Sequence, residues 1–193
     1  MSRQSNWFSA GLNVFLVTVF ALAIAISFGD CLAREPVTTL NIYFSKEEPG
    51  RIDQDCARVF AVTRTVPKTS AVARAALGEL FRGPTPEERS HGYHSWFSEQ
   101  TRSILRSIKV SQGTAYVDLR DIRGLLSGAT SSCGSVEFFA QVETTLKQFP
   151  TIKRVIFAIN GKTQTFYEWM QMGCEPANDY CNDRPFNKKQ HRR

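Results

Sequence analysis

The 193-residue sequence lacks the short motifs that mark common catalytic and metal sites. It has no Cys-x-x-Cys pair, no Gly-x-Ser-x-Gly elbow and only three histidines. These absences argue against a zinc site of paired cysteines and against a serine hydrolase of the elbow type. The sequence also has no internal repeat, and its length and ordinary apolar content favour one domain with terminal segments.

Charge is absent from the first part of the chain. No charged residue occurs between Arg3 and Asp30, and Val14–Phe28 is almost entirely apolar. A run of this length is typical of the hydrophobic region of a signal peptide, and Cys31-Leu32-Ala33 offers small residues for cleavage. We therefore predict a signal peptide over residues 1–33 and an exported chain.

Two alternatives exist for this segment. An uncleaved anchor is possible because about 22 residues from Trp7 onward are enough to span a membrane. Lipidation at Cys31 is disfavoured because Phe28-Gly29-Asp30 lacks the small apolar residues that precede a lipoprotein cysteine. Cleavage and anchoring both place the remainder outside the cytoplasm.

Four cysteines remain after cleavage, an even number that favours disulfides in an exported chain. Four cysteines allow three pairings. We prefer Cys174–Cys181, because CEPANDYC is a short polar turn that closes easily, and this leaves Cys56 to pair with Cys133. Free buried thiols are the alternative.

The net charge of +6 is concentrated at the C-terminus. Lys188, Lys189, Arg192 and Arg193 supply four positive charges, so residues 168–193 read as a disulfide loop followed by a basic tail. On an exported protein such a tail could bind anionic lipid or cell-wall polymer. The simpler interpretation is a solvated terminus.

Between these segments the hydrophobic pattern alternates between the two-residue period of strands and the helical period. The predicted order is strand, strand, helix, hairpin, helix, hairpin. This order indicates an α+β fold, a single two-layer sandwich with a mixed or antiparallel sheet and two helices on one face. The predicted strands are Leu40–Phe44, Val59–Val66, Ile104–Val110, Thr114–Leu119, Val155–Ile159 and Thr163–Tyr167. The predicted helices are one capped by Thr69 or Ser70, with a stripe from Ala73 to Phe81, and Gly134–Phe149, with Phe139, Val142, Leu146 and Phe149 as its stripe.

The segment ELFRGPTPEE predicts a sharp corner between two helices. Gly83 can adopt the left-handed conformation that ends a helix, and Pro84 cannot continue one. Thr85 then begins a capping box, with Pro86 at the first helical position and Glu88 reaching back. Turn chemistry explains each residue, so we interpret the corner as scaffold.

Candidate catalytic residues are few. His91 and His94 lie three apart, but no carboxylate follows them in a recognised ligand pattern. A loop that packs Tyr93, Trp96 and Phe97 against the helix corner explains this segment better. We therefore predict no metal and no cofactor.

The other nucleophiles and acids have structural explanations as well. A thiolate at Cys133 could be activated by the following helix, although a disulfide is simpler. Asp118 and Asp121 could suggest a glycosidase pair, but Arg120 lies between them and predicts a surface ion pair. We predict that the chain is not an enzyme.

A nucleic-acid function is a further possibility. The pI of 9.2 and the aromatics Phe157 and Tyr167 resemble an RNA-binding sheet in outline. The predicted export signal opposes this function, and core packing explains Phe157. We predict no nucleic-acid partner.

The ordered elements of residues 37–167 resemble the GerMN domain of bacterial sporulation and germination proteins. The positions that carry the resemblance are Ile42-Tyr43-Phe44, Val62, Arg64, Val66, Pro67, Leu80, Gly83-Pro84-Thr85, Val110, Gly113, Ala115, Val117-Asp118-Leu119, Thr145-Leu146, Phe149-Pro150 and Val155–Gly161.

The resemblance implies a non-catalytic envelope module, built like the ring-building domains of secretion systems, with no catalytic residues to carry over. The expected function is protein interaction or assembly in the bacterial cell envelope, with envelope proteins or further copies as partners and a link to sporulation or germination. The alternative is a binder of anionic wall polymer or lipid. Membrane contact would require an uncleaved first segment or lipid binding by the tail.

Overall fold

The computed structural model describes residues 35–48, 50, 55–174 and 180–187, which contain both strands and helices. The predicted signal segment and the basic tail with Lys188, Lys189, Arg192 and Arg193 lie outside the described residues. Within the described ranges, no helix has the length and apolarity needed to cross a membrane. The strands are β1 Val37–Lys46, β2 Phe60–Pro67, β3 Tyr93–His94, β4 Leu105–Ser111, β5 Thr114–Leu119 and β6 Arg154–Ile159. The helices are α1 Val72–Leu80, α2 Pro86–Ser90, α3 Ser132–Lys147 and α4 Thr163–Trp169.

The strands form two three-stranded sheets. The first has the order β2-β1-β3 and is antiparallel, and the second has the order β4-β5-β6. β4 and β5 form the predicted hairpin, whereas β5 and β6 run parallel because α3 connects them. The predicted α+β class is confirmed, with the strands divided between two sheets.

Helix α1 begins at Val72, with Ala71 as its N-cap and no side-chain cap. The prediction that Thr69 or Ser70 caps this helix is wrong. The Thr69 hydroxyl instead accepts the N–H of Ala71 at 3.0 Å, a local turn two residues long. The predicted apolar stripe of α1 is correct for four of its residues, since Ala76, Leu77, Leu80 and Phe81 are fully buried in the protein core.

Helix α3 presents both Phe138 and Phe139 to the core. Phe138 is completely buried and Phe139 is partly buried, so the predicted stripe omitted its most buried aromatic residue. The ring of Phe138 meets aromatic rings from both sides of the core. Its neighbours, with ring centroids 5.5–6.5 Å away, are Phe97, Phe139, Phe157, Phe166 and Trp169.

The opposite end of α3 covers the outer edge of β1 with polar side chains. Gln148 Oε1 accepts the N–H of Asn41 at 3.1 Å, and Gln148 Nε2 donates to the Asn41 carbonyl at 2.7 Å. Thr145 Oγ1 accepts the N–H of Tyr43 at 3.1 Å. An unpaired backbone edge is costly when buried, and these side chains take the place of a neighbouring strand.

The strand predicted at Thr163–Tyr167 is wrong, because these residues begin helix α4. Asn160 and Gly161 do form the predicted turn, with φ of 51° and 78°. The chain then turns into a helix because Asp183 Oδ1 accepts both the N–H of Thr163 (2.8 Å) and its hydroxyl (2.9 Å). This cap comes from a distant part of the sequence and lies outside any local turn pattern.

Residues of α4 and of the segment 180–187 pack against the second sheet. The hydroxyl of Tyr167 accepts the N–H of Phe157 at 3.2 Å, and the ring of Tyr180 lies 4.9 Å from that of Tyr167. Phe186 meets Tyr116 edge to face at 5.7 Å. These contacts explain why β6 is apolar on both faces: it is covered on both.

Replacing Phe138 with alanine should lower the free energy of unfolding by ~3–5 kcal/mol, because a fully buried ring leaves a cavity among five aromatic neighbours. Phe139→Ala is the matched control, and we expect a clearly smaller loss because that ring is half-buried. Urea denaturation followed by circular dichroism measures both. A larger loss for Phe139→Ala would contradict the observed orientation of α3.

Candidate functional site

The corner predicted from ELFRGPTPEE has the expected geometry. Gly83 has φ of 74°, and a Cβ added there would lie 2.1 Å from the carbonyl oxygen of Phe97. Thr85 accepts the N–H of Glu88 at 3.1 Å, and the Glu88 carboxylate accepts the N–H of Thr85 at 2.7 Å, which completes the capping box. Pro84 is buried between the two helices. No residue other than glycine fits at position 83 without backbone movement.

Arg64 holds this corner against the first sheet. Its guanidinium donates to Glu88 at 2.6 Å and 3.0 Å, to Glu79 at 3.2 Å and to the carbonyl of Gly83 at 3.3 Å. Only 14% of the Arg64 side chain is exposed, so this bidentate pair is well shielded from water. The sequence suggested the capping box but did not indicate that Glu88 also binds an arginine from β2.

Phe97 of the aromatic loop packs against the corner as predicted, whereas the prediction is wrong for Trp96. The rings of Phe81 and Phe97 lie 4.8 Å apart, and the hydroxyl of Thr101 donates to the carbonyl of Phe81 at 2.7 Å. Trp96 packs elsewhere, against the Cα face of Gly128. The corner is therefore joined to β2, to this loop and to the core.

His94 belongs to a polar cluster between β1, β3 and α3. Its Nδ1 lies 3.3 Å from Glu137 Oε1, and this hydrogen bond raises the pKa of His94 against the opposing effect of burial. Gln141 is completely buried and donates to Glu137 and to Ser45, both at 3.0 Å, while accepting from the hydroxyl of Ser95.

The two histidines do not converge on a shared ligand site. His91 follows α2 and is exposed, whereas His94 lies in β3 and pairs with Ser45 of β1. Within the described part of the chain, no group of three or more His, Cys, Asp or Glu side chains has a metal-binding arrangement.

Asp118 does not pair with Arg120, so that prediction is wrong. Its carboxylate accepts from Arg106 at 2.8 Å and from the N–H of Gly161 at 2.8 Å. Burial raises the pKa of Asp118, while these two hydrogen bonds oppose that effect. The Arg120 side chain turns away and donates to the carbonyl of Ser103 at 2.9 Å.

Asp118 and Asp121 sit in contrasting surroundings. Asp121 is exposed and bonded to Arg123, and these hydrogen bonds lower the pKa of Asp121 to about 2. Asp118 is buried and ties the Asn160-Gly161 turn to β4. Each carboxylate therefore has its own cationic partner, and Asp118 has a structural task at the end of β5.

Both predicted cysteine pairs lie at disulfide distance, with a Cα–Cα separation of 5.4 Å in each. This fits the pairing Cys56–Cys133 and Cys174–Cys181. The first joins residues 77 positions apart, and a loop of that length is worth about 4.5 kcal/mol in the chain-entropy model. With its sulfur bonded to Cys56, Cys133 carries no thiolate at the start of α3.

The outward face of the β1–β2 hairpin is exposed and carries no charge. Leu40, Ile42 and Phe44 point into the core, so the alternate residues of β1 and their neighbours on β2 point outward. We call these outward residues the hairpin face. They are Thr39, Asn41, Tyr43, Ala61, Thr63 and Thr65.

The sequence from residue 41 to residue 165 matches a protein-family model described as Germane, sporulation and spore germination. This match covers well over half of the chain. The chain belongs to the Germane family. The predicted resemblance to GerMN domains is therefore confirmed, and the chain is a domain of the type associated with sporulation and germination.

Solved structures give weaker similarities. The tandem GerMN domains of the sporulation protein GerM from Bacillus subtilis match with 18% identity over 70% of this chain and 43% of that one, with a TM-score of 0.46. This chain thus spans less than half of the tandem structure. A protein described as a lipoprotein from Clostridium perfringens matches with 11% identity over 69% of this chain and 80% of that one, with a TM-score of 0.36. No curated protein gives a significant sequence match.

Gly83-Pro84-Thr85 lie at the corner between α1 and α2, within the segment that matches the family. Sequence reasoning found these residues but missed the polar side of α3. The signal was present, because Glu137, Gln141, Thr145 and Gln148 are spaced by four, four and three residues and so lie on one helix face.

Gly83→Ala should lower the free energy of unfolding by about 3 kcal/mol, because it combines a left-handed φ with a clash against the Phe97 carbonyl. Gly78→Ala is the control: it lies within α1 with open space around it, and alanine should stabilise the helix by up to about 1 kcal/mol. Thermal or urea unfolding of both variants measures the difference. Equal effects would contradict the corner geometry.

The His94–Glu137 pair should make stability depend on pH. Because the pKa of His94 is higher in the folded state, its contribution is fully present below the unfolded pKa of about 6.5 and is lost as pH rises through the folded pKa. His94→Gln should therefore lower the urea midpoint more at pH ~5.5 than at pH ~8. In a Glu137→Gln background this pH dependence should become clearly smaller, with only the weaker effect of Glu47 on the pKa of His94 remaining, and an unchanged pH dependence would refute the pairing.

Proposed function

We propose that this Germane-family chain is an exported, non-catalytic module that binds other proteins in the bacterial cell envelope. The observation that carries the proposal is the hairpin face, six exposed or half-exposed side chains without a charge on a protein of pI 9.2. Covering an uncharged surface with a partner costs less solvation free energy than covering a charged one.

Export is supported by two independent features. The apolar segment Val14–Phe28 has the composition of a secretion signal. The two cysteine pairs at disulfide distance suit an oxidising compartment, because thiols stay reduced in the cytosol. Together they support an extracytoplasmic location.

Binding without turnover is supported by the family and by the roles of the polar side chains. Arg64, Glu88 and Asp118 hold elements of the fold together, and His94 is bonded to the network of Gln141. Removing any of them is expected to affect stability first.

The proposal is tested by cross-linking the tagged chain in its own cells and identifying the products by mass spectrometry. Recovery of envelope proteins or of further copies in amounts comparable to the bait would support it. A matched variant, Thr63→Glu, places a charge on the hairpin face and should reduce the recovery, whereas Arg123→Glu, at an exposed site that is not part of this face, should not. Recovery of wall polymer or lipid alone would contradict it.

The alternative is binding to anionic polymer or lipid through Lys188, Lys189, Arg192 and Arg193, which concentrate four charges in the last six residues. Removing the residues after Phe186 should then abolish binding to anionic vesicles or teichoic-acid polymer, and the intact chain's binding should weaken steeply as salt rises. Retained binding after truncation would exclude this alternative.

A further inference from the structure

The outer edge of β2 has backbone groups that face away from β1. Asn41 and Tyr43 give their N–H groups to α3, so their partners across the ladder, Thr63 and Ala61, form non-hydrogen-bonded pairs with β1. The N–H and carbonyl groups of these two residues, and of Thr65 two positions further on, therefore point outward. Among the described residues, no strand pairs with this edge.

Three other strands in the described part of the chain receive a side-chain hydrogen bond on their backbone. Gln148 and Thr145 bond the outer edge of β1, Tyr167 bonds β6, and Arg74 donates to the Arg106 carbonyl of β4 at 3.1 Å. Among the described residues, no side chain bonds the outward backbone groups of Ala61, Thr63 and Thr65.

The usual protections of an edge strand are also scarce on β2. Native edges commonly carry exposed charges or bulges that prevent pairing with another chain. The only charged side chain on β2 is Arg64, which is turned inward and occupied by Glu79 and Glu88. Pro67 ends the strand but leaves the N–H groups of Ala61, Thr63 and Thr65 unblocked.

A groove of about 430 Å³ adjoins the end of this strand. One part of its lining is Val66 and Pro67 of β2, and the other is the exposed side of α1. At Gly78 a Cβ would have no neighbour within 4 Å, so the floor of the groove is open there. A groove between an edge strand and a helix is a shape that accepts an extended peptide.

The groove is positively charged. Arg74, Arg82 and Arg102 line it, and the carboxylate among its lining residues, Glu79, is shared between Arg64 and Arg82. Arg82 is 54% exposed and Arg102, bonded to the exposed Glu99, is 61% exposed. Exposed ion pairs of this kind are weak, so these guanidinium groups can exchange their partners for incoming carboxylates.

We propose that the outer edge of β2 binds an extended, acidic segment of a partner protein as an added strand, with its carboxylates against Arg74, Arg82 and Arg102. The inference rests on the proposed interaction function and names the surface and the chemistry of the partner. A second copy is a poorer occupant, because pairing two β2 edges would bring two arginine-lined grooves together. The charge of the groove selects the acidic partner.

The test uses the full chain in mild detergent and a fluorescent seven-residue peptide of alternating threonine and glutamate. We expect saturable binding by anisotropy, weakened by salt, and at least about tenfold weaker binding of the matching threonine–lysine peptide. Hydrogen exchange measured by mass spectrometry should slow in the fragment with Ala61, Thr63 and Thr65 when the acidic peptide is added. Equal binding of both peptides, or protection elsewhere, would overturn the proposal.

Paired variants separate backbone pairing from side-chain contact. Thr63→Pro removes one outward N–H at a position where an edge strand tolerates proline, and Thr63→Val keeps it. We expect Thr63→Pro to weaken peptide binding about tenfold or more and Thr63→Val to leave it within about twofold. Circular dichroism establishes that both variants fold. Equal affinities of the two variants would overturn strand addition.

The charge contribution has its own control. Replacing both Arg82 and Arg102 with glutamine should weaken binding of the acidic peptide about tenfold, whereas Arg123→Gln, at an exposed ion pair outside the groove, should have no effect.

The cross-linking experiment separates the proposed surface from the proposed function. If cells that carry the Thr63→Pro variant still yield cross-linked envelope proteins, the interaction function stands and this surface is wrong. If the peptide binds but cells yield no protein partner, the surface is right and the proposed function is wrong.

Discussion

Every backbone N–H and carbonyl that a sheet edge leaves unpaired must be satisfied or exposed to water, and this requirement organises the whole fold. α3 lies where it does because Gln148 and Thr145 replace a missing strand beside β1. At the other sheet, Tyr167 performs the same task for β6, and Asp183 caps the helix that carries it. On the outward edge of β2, the described residues supply no such bond.

The polar residues that could be taken for catalytic groups instead hold strands, helices and turns of the fold together. Arg64 joins β2 to the corner through Glu88, and Asp118 joins β4 and β5 to the turn at Gly161. Such shielded, hydrogen-bonded charges are costly to break singly, because the remaining partner stays buried without compensation. A module whose charges are used in this way is suited to presenting a firm surface to a partner.

Much of the fold follows from local chemistry. The corner at Gly83 is predictable because glycine, proline and a capping box act over a few residues, and the β4–β5 turn is predictable because Gly113 can adopt positive φ. The prediction of a strand after Asn160-Gly161 is wrong because local chemistry decides only the turn. The turn is correct, but the next element is decided by Asp183, about twenty residues away.

The sequence by itself determined the α+β class, the family, the helix corner and a cysteine pairing that fits the structure, because these depend on periodicity, on turn residues and on short spacings. Only the tertiary structure decided which partner each charge has, that Phe138 is buried more deeply than Phe139, and which backbone groups of β2 point outward without a partner among the described residues. The physical reason is that ion pairs, caps and edge contacts join residues far apart in the chain, as Tyr43 and Thr145 are, and local patterns carry no information about such distances.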